Sequence, residues 1–557
     1  MAAATDSGQC CDLPRPANSG VEIPLAAGKP RPIMLIGFQR MANLGIGYLA
    51  ATLRREGYPV EVVDYERHPT EILALAKKLN PIAIGFSLIF QFYIRRFGDL
   101  IDYLRANGID CHFTMGGHYP TLSYRQTLAT VPGLDSVVRF EGELTLLELV
   151  RALHAEVDWR AIDGLCFMRD GEAVANAPRK LIPDLDSLPY PQRDFEPHKV
   201  LGRAAFPLLA SRGCARTCSF CSIHTFYRTA PGKVVRTRQP ADVVREMTTL
   251  NAERGISIFL FQDDDFPLFG KVWRAWANEF VDELHRAGLP GRAIWKINCR
   301  ADAVEPDLMA RMRDAGLYMV YMGLESGTEQ GLKVLHKEIT VAENLRAVRI
   351  LKRLGIMFEF GFMLLDPSSD FQSILGNIDF LRAIVGDGSA GAVFCKMLPY
   401  DGTPIKDELE RGGRLRGDVS DPDYDFLDPR VDEFYRALRQ TMDVSGWVHG
   451  YKALSPQLNW ACNEAAIMQH LFPDLPGLGR YKGRLRKIIR ESNALLFRTV
   501  EELVARHSGG AGQPPDNAML KQAGEAFLAR LLDERNGFVL RNQDLMLQAL
   551  QEAQRAA

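Results

Sequence analysis

Three cysteines fall inside eight residues in Ser211-Arg-Gly-Cys214-Ala-Arg-Thr-Cys218-Ser-Phe-Cys221, spaced Cys-x-x-x-Cys-x-x-Cys. They follow a strand-like apolar run, Phe206-Pro-Leu-Leu-Ala210, which places them on a loop leaving a strand. Thiolates at this spacing can converge on one inorganic centre without help from a distant part of the chain. Iron–sulfur cubanes are held by cysteine thiolates, ordinarily four. Three local cysteines leave one iron without such a ligand, and an open metal position is where a substrate can coordinate, as in catalytic zinc sites. A zinc knuckle, or three packed thiols, is the alternative. Zinc wants four closed ligands, often as paired Cys-x-x-Cys units, and no second pair is visible. The pattern points to a cluster held by Cys214, Cys218 and Cys221.

The chain has 557 residues, too many for one hydrophobic core, so several domains are expected. A hydrophobic share of 46% and a charged share of 24% are ordinary for a soluble globular protein. A net charge of −2 gives no basis for a nucleic acid or an anionic membrane as partner. Ten cysteines, scattered apart from the central trio, form no disulfide framework and fit a reducing cytosol. No apolar run approaches the ~18–20 residues needed to span a bilayer. The Ala/Pro/Gly-rich start lacks a signal pattern, so a cytoplasmic location is expected. Residues 1–30 read as a disordered tail in which Cys10 and Cys11 are incidental.

From Arg31 short apolar strands alternate with helices. Strands are expected at 32–37, 60–63, 83–86, 111–115 and 136–139, and helices at 44–56, 69–79, 91–106, 121–130 and 144–154. This alternation predicts an α/β, Rossmann-like, doubly wound parallel sheet over residues 31–155. Ligands of such sheets bind beyond the carboxyl ends of the strands. The loops there hold Gln39 and Asn43, Ser87, Gly116-Gly117-His118 and Glu141-Gly142. Paired glycines let backbone approach a flat ligand, or simply make tight turns. Residues 156–203 read as a linker that leaves the sheet. It carries a small hairpin around Asp170-Gly171 and a proline-stiffened stretch with Pro183, Pro189 and Pro191.

A second alternation occupies residues 204–405. Strands are expected at 206–211, 256–261, 294–297, 318–322, 357–362 and 392–396, and helices at 240–253, 271–287, 305–314, 341–353 and 370–384. Six repeats predict a partial (β/α)6 barrel of the TIM type, with its site at the carboxyl ends of the strands. The cysteine loop lies on that face. Asp263-Asp264-Asp265, Asn298-Cys299-Arg300 and Gly323-Leu-Glu325-Ser-Gly327 end later strands on the same side. Adjacent acids repel one another. Arg300 suits either a carboxylate ligand or a surface salt bridge. Cys299 and Cys395 read as packed thiols. Beyond 406 the strand signal disappears, and helices at 429–443, 459–471, 480–506 and 516–534 predict a C-terminal helical region over 406–557. Trp447, His449, Tyr451 and Trp460 form an aromatic patch, for core packing or substrate stacking. The basic run from Arg480 to Arg490 reads as a solvated helix face.

Cys214, Cys218 and Cys221, with Phe220 before the last cysteine, resemble the signature of the radical S-adenosylmethionine superfamily. Upstream, Leu44-Gly-Ile-Gly-Tyr-Leu-Ala-Ala-Thr-Leu53, Gly116-Gly117-His-Tyr-Pro120 and Glu141-Gly-Glu143 are similar to the cobalamin-binding domain of its cobalamin-dependent members. The domain order matches as well. The resemblance implies a [4Fe–4S] cluster on the three thiolates, with S-adenosyl-L-methionine chelating the free iron through its amino and carboxylate groups. It implies a cobalamin, as methylcobalamin, against Gln39, Asn43, Ser87, Gly116, Gly117, His118, Glu141 and Gly142. It sets Asp264 or Asp265 and Glu325 near S-adenosyl-L-methionine, whose carboxylate Arg300, from its strand end, could hold. Pro399-Tyr-Asp-Gly-Thr-Pro404 resembles the segment that closes the family's barrel. The loop after the first strand has neither the Asp nor the His of an Asp-x-His-x-x-Gly motif, so it implies no histidine ligand to cobalt. His118 and His68 are candidate ring neighbours.

The activity this resemblance implies is methyl transfer to an unactivated carbon of a small molecule or natural product. The reduced cluster would cleave S-adenosyl-L-methionine to a 5′-deoxyadenosyl radical that removes a substrate hydrogen, and methylcobalamin would supply the methyl group. Electrons would come from an external donor of the flavodoxin or ferredoxin type. The same cofactors also support cyclisation, ring rearrangement or hydroxylation without methyl transfer. An iron–sulfur electron-transfer or binding module is the non-enzymatic alternative, against which the extended barrel and the Gly-Leu-Glu-Ser-Gly segment argue. No residue is assigned as catalytic, and no motif names the substrate.

Overall fold

The computed structural model describes residues 29–39, 43–448, 452–472, 474–510 and 515–556. The expected tail, with Cys10 and Cys11, lies outside them except for its last two residues.

Strands β1 (Ile33–Gly37), β2 (Val60–Asp64), β3 (Ala83–Ser87), β4 (His112–Gly116) and β5 (Ser136–Val138) run parallel in the order β2-β1-β3-β4-β5. β1 is buried along its whole length. Met34 and Ile36 pack in one apolar cluster with Phe97 and Leu100, whereas Ile33 and Leu35 pack in another with Leu53 and Leu149. Successive residues of a strand face opposite sides, so a run such as Ile-Met-Leu-Ile is satisfied only by helices on both faces. The doubly wound layout follows from that.

The sheet continues past β5. A hairpin of β6 (Leu165–Arg169) and β7 (Glu172–Ala175), turning at Asp170 and Gly171 with positive φ, adds two antiparallel strands. The reading that 156–203 leaves the sheet is therefore corrected. Without the hairpin β5 would be an open edge; with it, Leu165, Cys166 and Phe167 are buried.

The second sheet contains β8 (His198–Val200) and β9 (Arg203–Leu208), and a short antiparallel pair, β10 (Ser211–Arg212) with β11 (Arg236–Thr237), clips the base of the cysteine loop. β12 (Ile256–Phe261), β13 (Ile294–Cys299), β14 (Leu317–Glu325), β15 (Met357–Leu365) and β16 (Cys395–Lys396) complete the order β16-β15-β14-β13-β12-β9-β8. Six strands are parallel, as expected of a curled half-barrel, and β8 is an antiparallel edge. The strand expected at 392–396 shrinks to two residues because side chains capture the backbone before it. Asn459 exchanges hydrogen bonds with Gly391, and Asn493 bonds Val385, Ala390 and Ala392.

Helices Pro429–Ser445, Leu454–Leu471, Leu478–His507 and Asn517–Ala556 follow, and their apolar faces merge with the barrel core. Two corrections apply here. A hairpin of β17 (Leu415–Gly417) and β18 (Pro422–Tyr424) lies where no strand was expected, and the last helix runs well past 534. Trp447 is buried in the helical core while Trp460 is 39% exposed, so the two do not form one stacking patch. His449 and Tyr451 lie outside the described residues.

The two sheets are locked together by ionic contacts. Glu141, after β5, accepts from Arg236 at 2.8 and 2.9 Å, from Arg212 at 3.2 Å and from the Ile182 amide at 2.7 Å. Arg212 also donates to Glu143 at 2.7 Å. Burial raises the Glu141 carboxyl, but Arg212 and Arg236 more than offset this and hold it below the usual carboxylate range. Removing one partner of a buried pair costs about 3 kcal/mol or more. Arg236→Met is expected to lose about that much, read from the urea midpoint. Because the folded pKa is depressed, the stabilisation holds above the unfolded value of ~4.3 and is lost as pH falls through the lower folded one. Exchange at the Ile182 amide should therefore accelerate only below about pH 4.

Candidate functional site

The cysteine loop leaves β10 through Gly213, whose φ is +88° and where a Cβ would run into the Val234 carbonyl oxygen. Only glycine fits there. The acids at the end of β12 secure the same turn. Asp263 accepts from the Ala210 amide at 3.2 Å and from Ser211 Oγ at 2.5 Å. Asp264 accepts from the Gly213 amide at 3.0 Å. Asp265 has no such hydrogen bond among the described residues; the nearby charges acting on it are Arg300, Asp302, Lys337 and Arg216. Burial is the main cause that lifts Asp263 to about 7 and Asp264 and Asp265 to about 6. Mutual repulsion is secondary.

The far side of the loop is stitched to the rest of the mouth. Ser219 donates from its amide to Leu335 at 3.0 Å and from its hydroxyl to Val334 at 2.8 Å. Its carbonyl accepts from the Ile405 amide at 3.0 Å, so the helix that opens at Pro404, directly after Gly402-Thr403, touches the cysteine loop. Cys221 caps the start of helix Ser222–Thr229. Burial pushes the Cys214 thiol up to about 11, raises Cys218, and pushes Cys221 up to about 12. Lys337 and Arg300 act on Cys218 in the opposite sense.

Glu325 takes a left-handed backbone, φ +63°, at the end of β14. Such strain in a non-glycine residue persists only where the surroundings over-determine it. Here Glu325 pairs with buried Lys337 at 3.0 Å, and Asn377 Oδ1 holds the Gly327 amide at 2.7 Å. A Cβ on Gly323 would strike the Glu325 carboxylate, and one on Gly327 would strike Phe380. Arg300 is buried, which corrects the surface salt-bridge reading. It donates to Asp302 at 3.0 and 3.2 Å, and its Nη1 is buried without a partner. Cys299 is buried as expected, but Cys395 is exposed, which corrects the packed-thiol reading for that residue.

At the carboxyl ends of the first sheet, Asn43 caps helix Leu44–Arg55 through the Ile46 amide at 3.1 Å and reaches Ser87 Oγ at 3.4 Å. Gly117 has φ +114°, with the Leu88 carbonyl where a Cβ would stand. His118 is enclosed, its ring centroid 4.6 Å from that of Phe226 in the helix after Cys221. Burial lowers it to about 4, and its Nε2 has no partner. Gln39 Nε2 is likewise buried and unpartnered. Glu141 faces the arginines, and Gly142 opens helix Gly142–His154. His68 is an exposed helix cap bonded to Thr70, not a neighbour of a buried ring site. Ile89 and Phe90, in the Ser87–Phe90 loop that follows β3, stay 45% and 46% exposed. Phe90 stacks on Phe92, and both approach Tyr400 from the barrel side.

A cleft of about 990 Å³ opens between the two sheets, lined among others by Gln39, Asp64, Asp194, Ala205, Pro207 and Leu260. Asp264, Tyr321 and Cys395 each keep accessible surface although protein surrounds them, as groups lining a concavity do.

Two family models match the chain: the B12 binding domain over residues 37–150 and the Radical SAM superfamily over residues 208–381. The chain belongs to the cobalamin-dependent radical S-adenosylmethionine enzymes. An anaerobic magnesium-protoporphyrin IX monomethyl ester cyclase of Cereibacter sphaeroides is 36% identical over 57% of this chain and 52% of its own length. The chain thus spans about half of that relative. A cytidylyl-2-hydroxyethylphosphonate methyltransferase of Streptomyces wedmorensis is 26% identical over 76% of this chain and 89% of its own. The solved structure of the cobalamin-dependent S-adenosylmethionine radical enzyme OxsB shares the fold, with a TM-score of 0.68 at 18% identity, covering 94% of this chain and 84% of that one.

The cofactors of this radical enzyme family are a [4Fe–4S] cluster, S-adenosyl-L-methionine and cobalamin. The residues present fit them. Among the described residues no three His, Cys, Asp or Glu side chains converge as a mononuclear metal chelate. A cubane does not ask for that, since each thiolate takes a different iron. The partnerless Nη1 of Arg300 offers a donor beside the cysteine loop, and the partnerless nitrogens of Gln39 and His118 lie at the strand ends of the B12-binding module.

Gly213→Ala is expected to cost about 2 kcal/mol or more and to speed hydrogen exchange across 214–221. Gly255→Ala, at φ +63° with nothing within 4 Å, should cost only about 1 kcal/mol.

Proposed function

We propose that this radical enzyme is a C-methyltransferase that acts on an unactivated carbon of a small molecule, with Cys214, Cys218 and Cys221 as the iron ligands. The observation that carries the reading is the cysteine loop itself. Asp263, Asp264 and Ser219 fix it at the barrel mouth, and the B12-binding module is tied to its flank through Glu141. When bound, the cofactors supply a carbon-centred radical and a transferable methyl group; the protein supplies placement and exclusion of water.

In this reading Arg300 Nη1 takes the carboxylate of S-adenosyl-L-methionine and Asp265 its ammonium. Asp264 keeps its bond to Gly213 and sets the loop. Glu325, held by Lys337, keeps a carboxylate at the mouth of β14. Gln39, Ser87 and His118 line the cobalamin side. An external flavodoxin- or ferredoxin-type donor delivers electrons.

The methyltransferase relative, matched over 89% of its length, supports methyl transfer. The cyclase relative, with its higher identity of 36%, favours the second reading: oxidative ring chemistry without methyl transfer.

Two measurements test this. In anaerobically reconstituted protein, changing all three cysteines to Ala should abolish cluster absorbance and reductive cleavage of S-adenosyl-L-methionine; full turnover would overturn the assignment. With S-adenosyl-L-methionine deuterated in its methyl group, the product mass should carry the label, and an unlabelled product would hand the function to the ring-chemistry reading.

A further inference from the structure

The middle strands of the half-barrel carry charged side chains on the face opposite their fully buried residues. On β13, Trp295 and Ile297 are fully buried against the outer helices, which turns Lys296 and Asn298 toward the lumen. The strand register aligns Asn298 with Tyr321 of β14, and Tyr321 with Glu359 of β15. Phe358 and Phe360 flank Glu359 and face outward into the core. Asn298, Tyr321 and Glu359 therefore form one row across three strands, about 10 Å from end to end, with Lys296 beneath Asn298.

The bonding in this row is incomplete. Lys296 Nζ donates to Asn298 Oδ1 at 2.6 Å and lies 5.8 Å from the Tyr321 ring centroid. Two of its three N–H groups remain. Glu359 receives no hydrogen bond and no ion pair among the described residues, and neither does the Tyr321 hydroxyl. Burial disfavours the charge on both Lys296 and Glu359; Glu359 and, more weakly, Asp263 favour it on Lys296, and Lys296 favours it on Glu359, yet Lys296 and Glu359 form no ion pair. Gly361 leaves the Tyr321 hydroxyl its place, since a Cβ would approach it to 2.8 Å. Tyr321 is 37% exposed.

Placing one cation and one anion inside apolar strands costs solvation, and polar groups so enclosed find partners. A ligand with a single charge would satisfy one and strand the other. A neutral polyol would add no counter-charge to either, leaving each with only the distant opposite charges already present. We propose that Glu359 and Lys296 are positioning residues that clamp the amino-acid-like head of the substrate, its free ammonium on Glu359 and its free carboxylate on Lys296. The substrate class is then an α-amino acid or a compound that keeps an unblocked amino-acid end, with Tyr321 packing against its carbon skeleton. This assignment rests on the proposed reading that substrate enters the barrel mouth.

The test uses the anaerobically reconstituted full chain with cluster, cobalamin and S-adenosyl-L-methionine. Binding of the common amino acids, and of their N-acetyl and methyl-ester derivatives, is measured by calorimetry. At least one free amino acid should bind, and blocking either end should weaken it roughly tenfold or more. Glu359→Gln should erase the preference for a free amine while keeping that for a free carboxylate. Lys296→Met should do the reverse, and Glu359→Asp and Lys296→Arg should restore part of each. This crossed pattern is one that a merely structural role would not produce. Failure of every free amino acid to bind, or equal loss toward all probes in both variants, overturns the assignment. Cleavage of S-adenosyl-L-methionine by the wild-type preparation reports on the radical reading separately, so the two can fail independently.

Discussion

A single buried carboxylate sets the relation between the two halves of the catalytic apparatus. Glu141 leaves the last parallel strand of the first sheet and is shared by Arg236 and Arg212, which frame the cysteine loop of the second. Because Arg212 stands two residues before Cys214, any slip of one module against the other would unpair a buried charge. Buried pairs are costly to break and stringent in geometry, though they contribute little net stability. The network therefore acts as a registration device more than as an adhesive. The contact of His118 with Phe226 carries the same registration into the helix that follows Cys221.

The mouth of the half-barrel repeats the theme within one domain. Asp263 and Asp264 give their oxygens to backbone amides and a hydroxyl at the root of the cysteine loop. These bonds use the acids as scaffolding and leave Asp265 turned toward the cations of the site. The strained Glu325 belongs to the same design. Its left-handed backbone is tolerated because Lys337 and Asn377 hold the segment on either side. Charge and strain are concentrated where a loop must hold one shape before any cofactor arrives.

The alternating apolar runs made both sheets legible, since a strand buried on both faces has few other ways to satisfy Ile-Met-Leu-Ile or Ile-Phe-Leu-Phe. The spacing of the cysteines made the cluster loop legible for a different reason: ligands close in sequence need no long-range folding to meet. What escaped depends on partners distant in the chain. Nothing local marks Leu165–Ala175 as the next strands of the first sheet, because the open edge that recruits them is β5. The shortening of the strand at 392–396 is decided by Asn459 and Asn493 from helices far downstream. The hairpin at 415–424 is anchored by Lys396 to Asp423 and Tyr424, a contact that no periodicity announces.

Residue types and their order were enough to dictate two α/β layers, a helical end and a three-thiol loop, because hydrophobic periodicity and ligand spacing act over short stretches of chain. Which acid pins a turn and which stays free, which arginine is buried with a spare donor, and which thiol is exposed were set by packing between elements hundreds of residues apart. Lys296 and Glu359 show the division most plainly. From the sequence, Ile-Trp-Lys-Ile-Asn-Cys and Met-Phe-Glu-Phe-Gly-Phe read only as strands, and it is the strand register that puts their lysine and glutamate on one wall of the half-barrel.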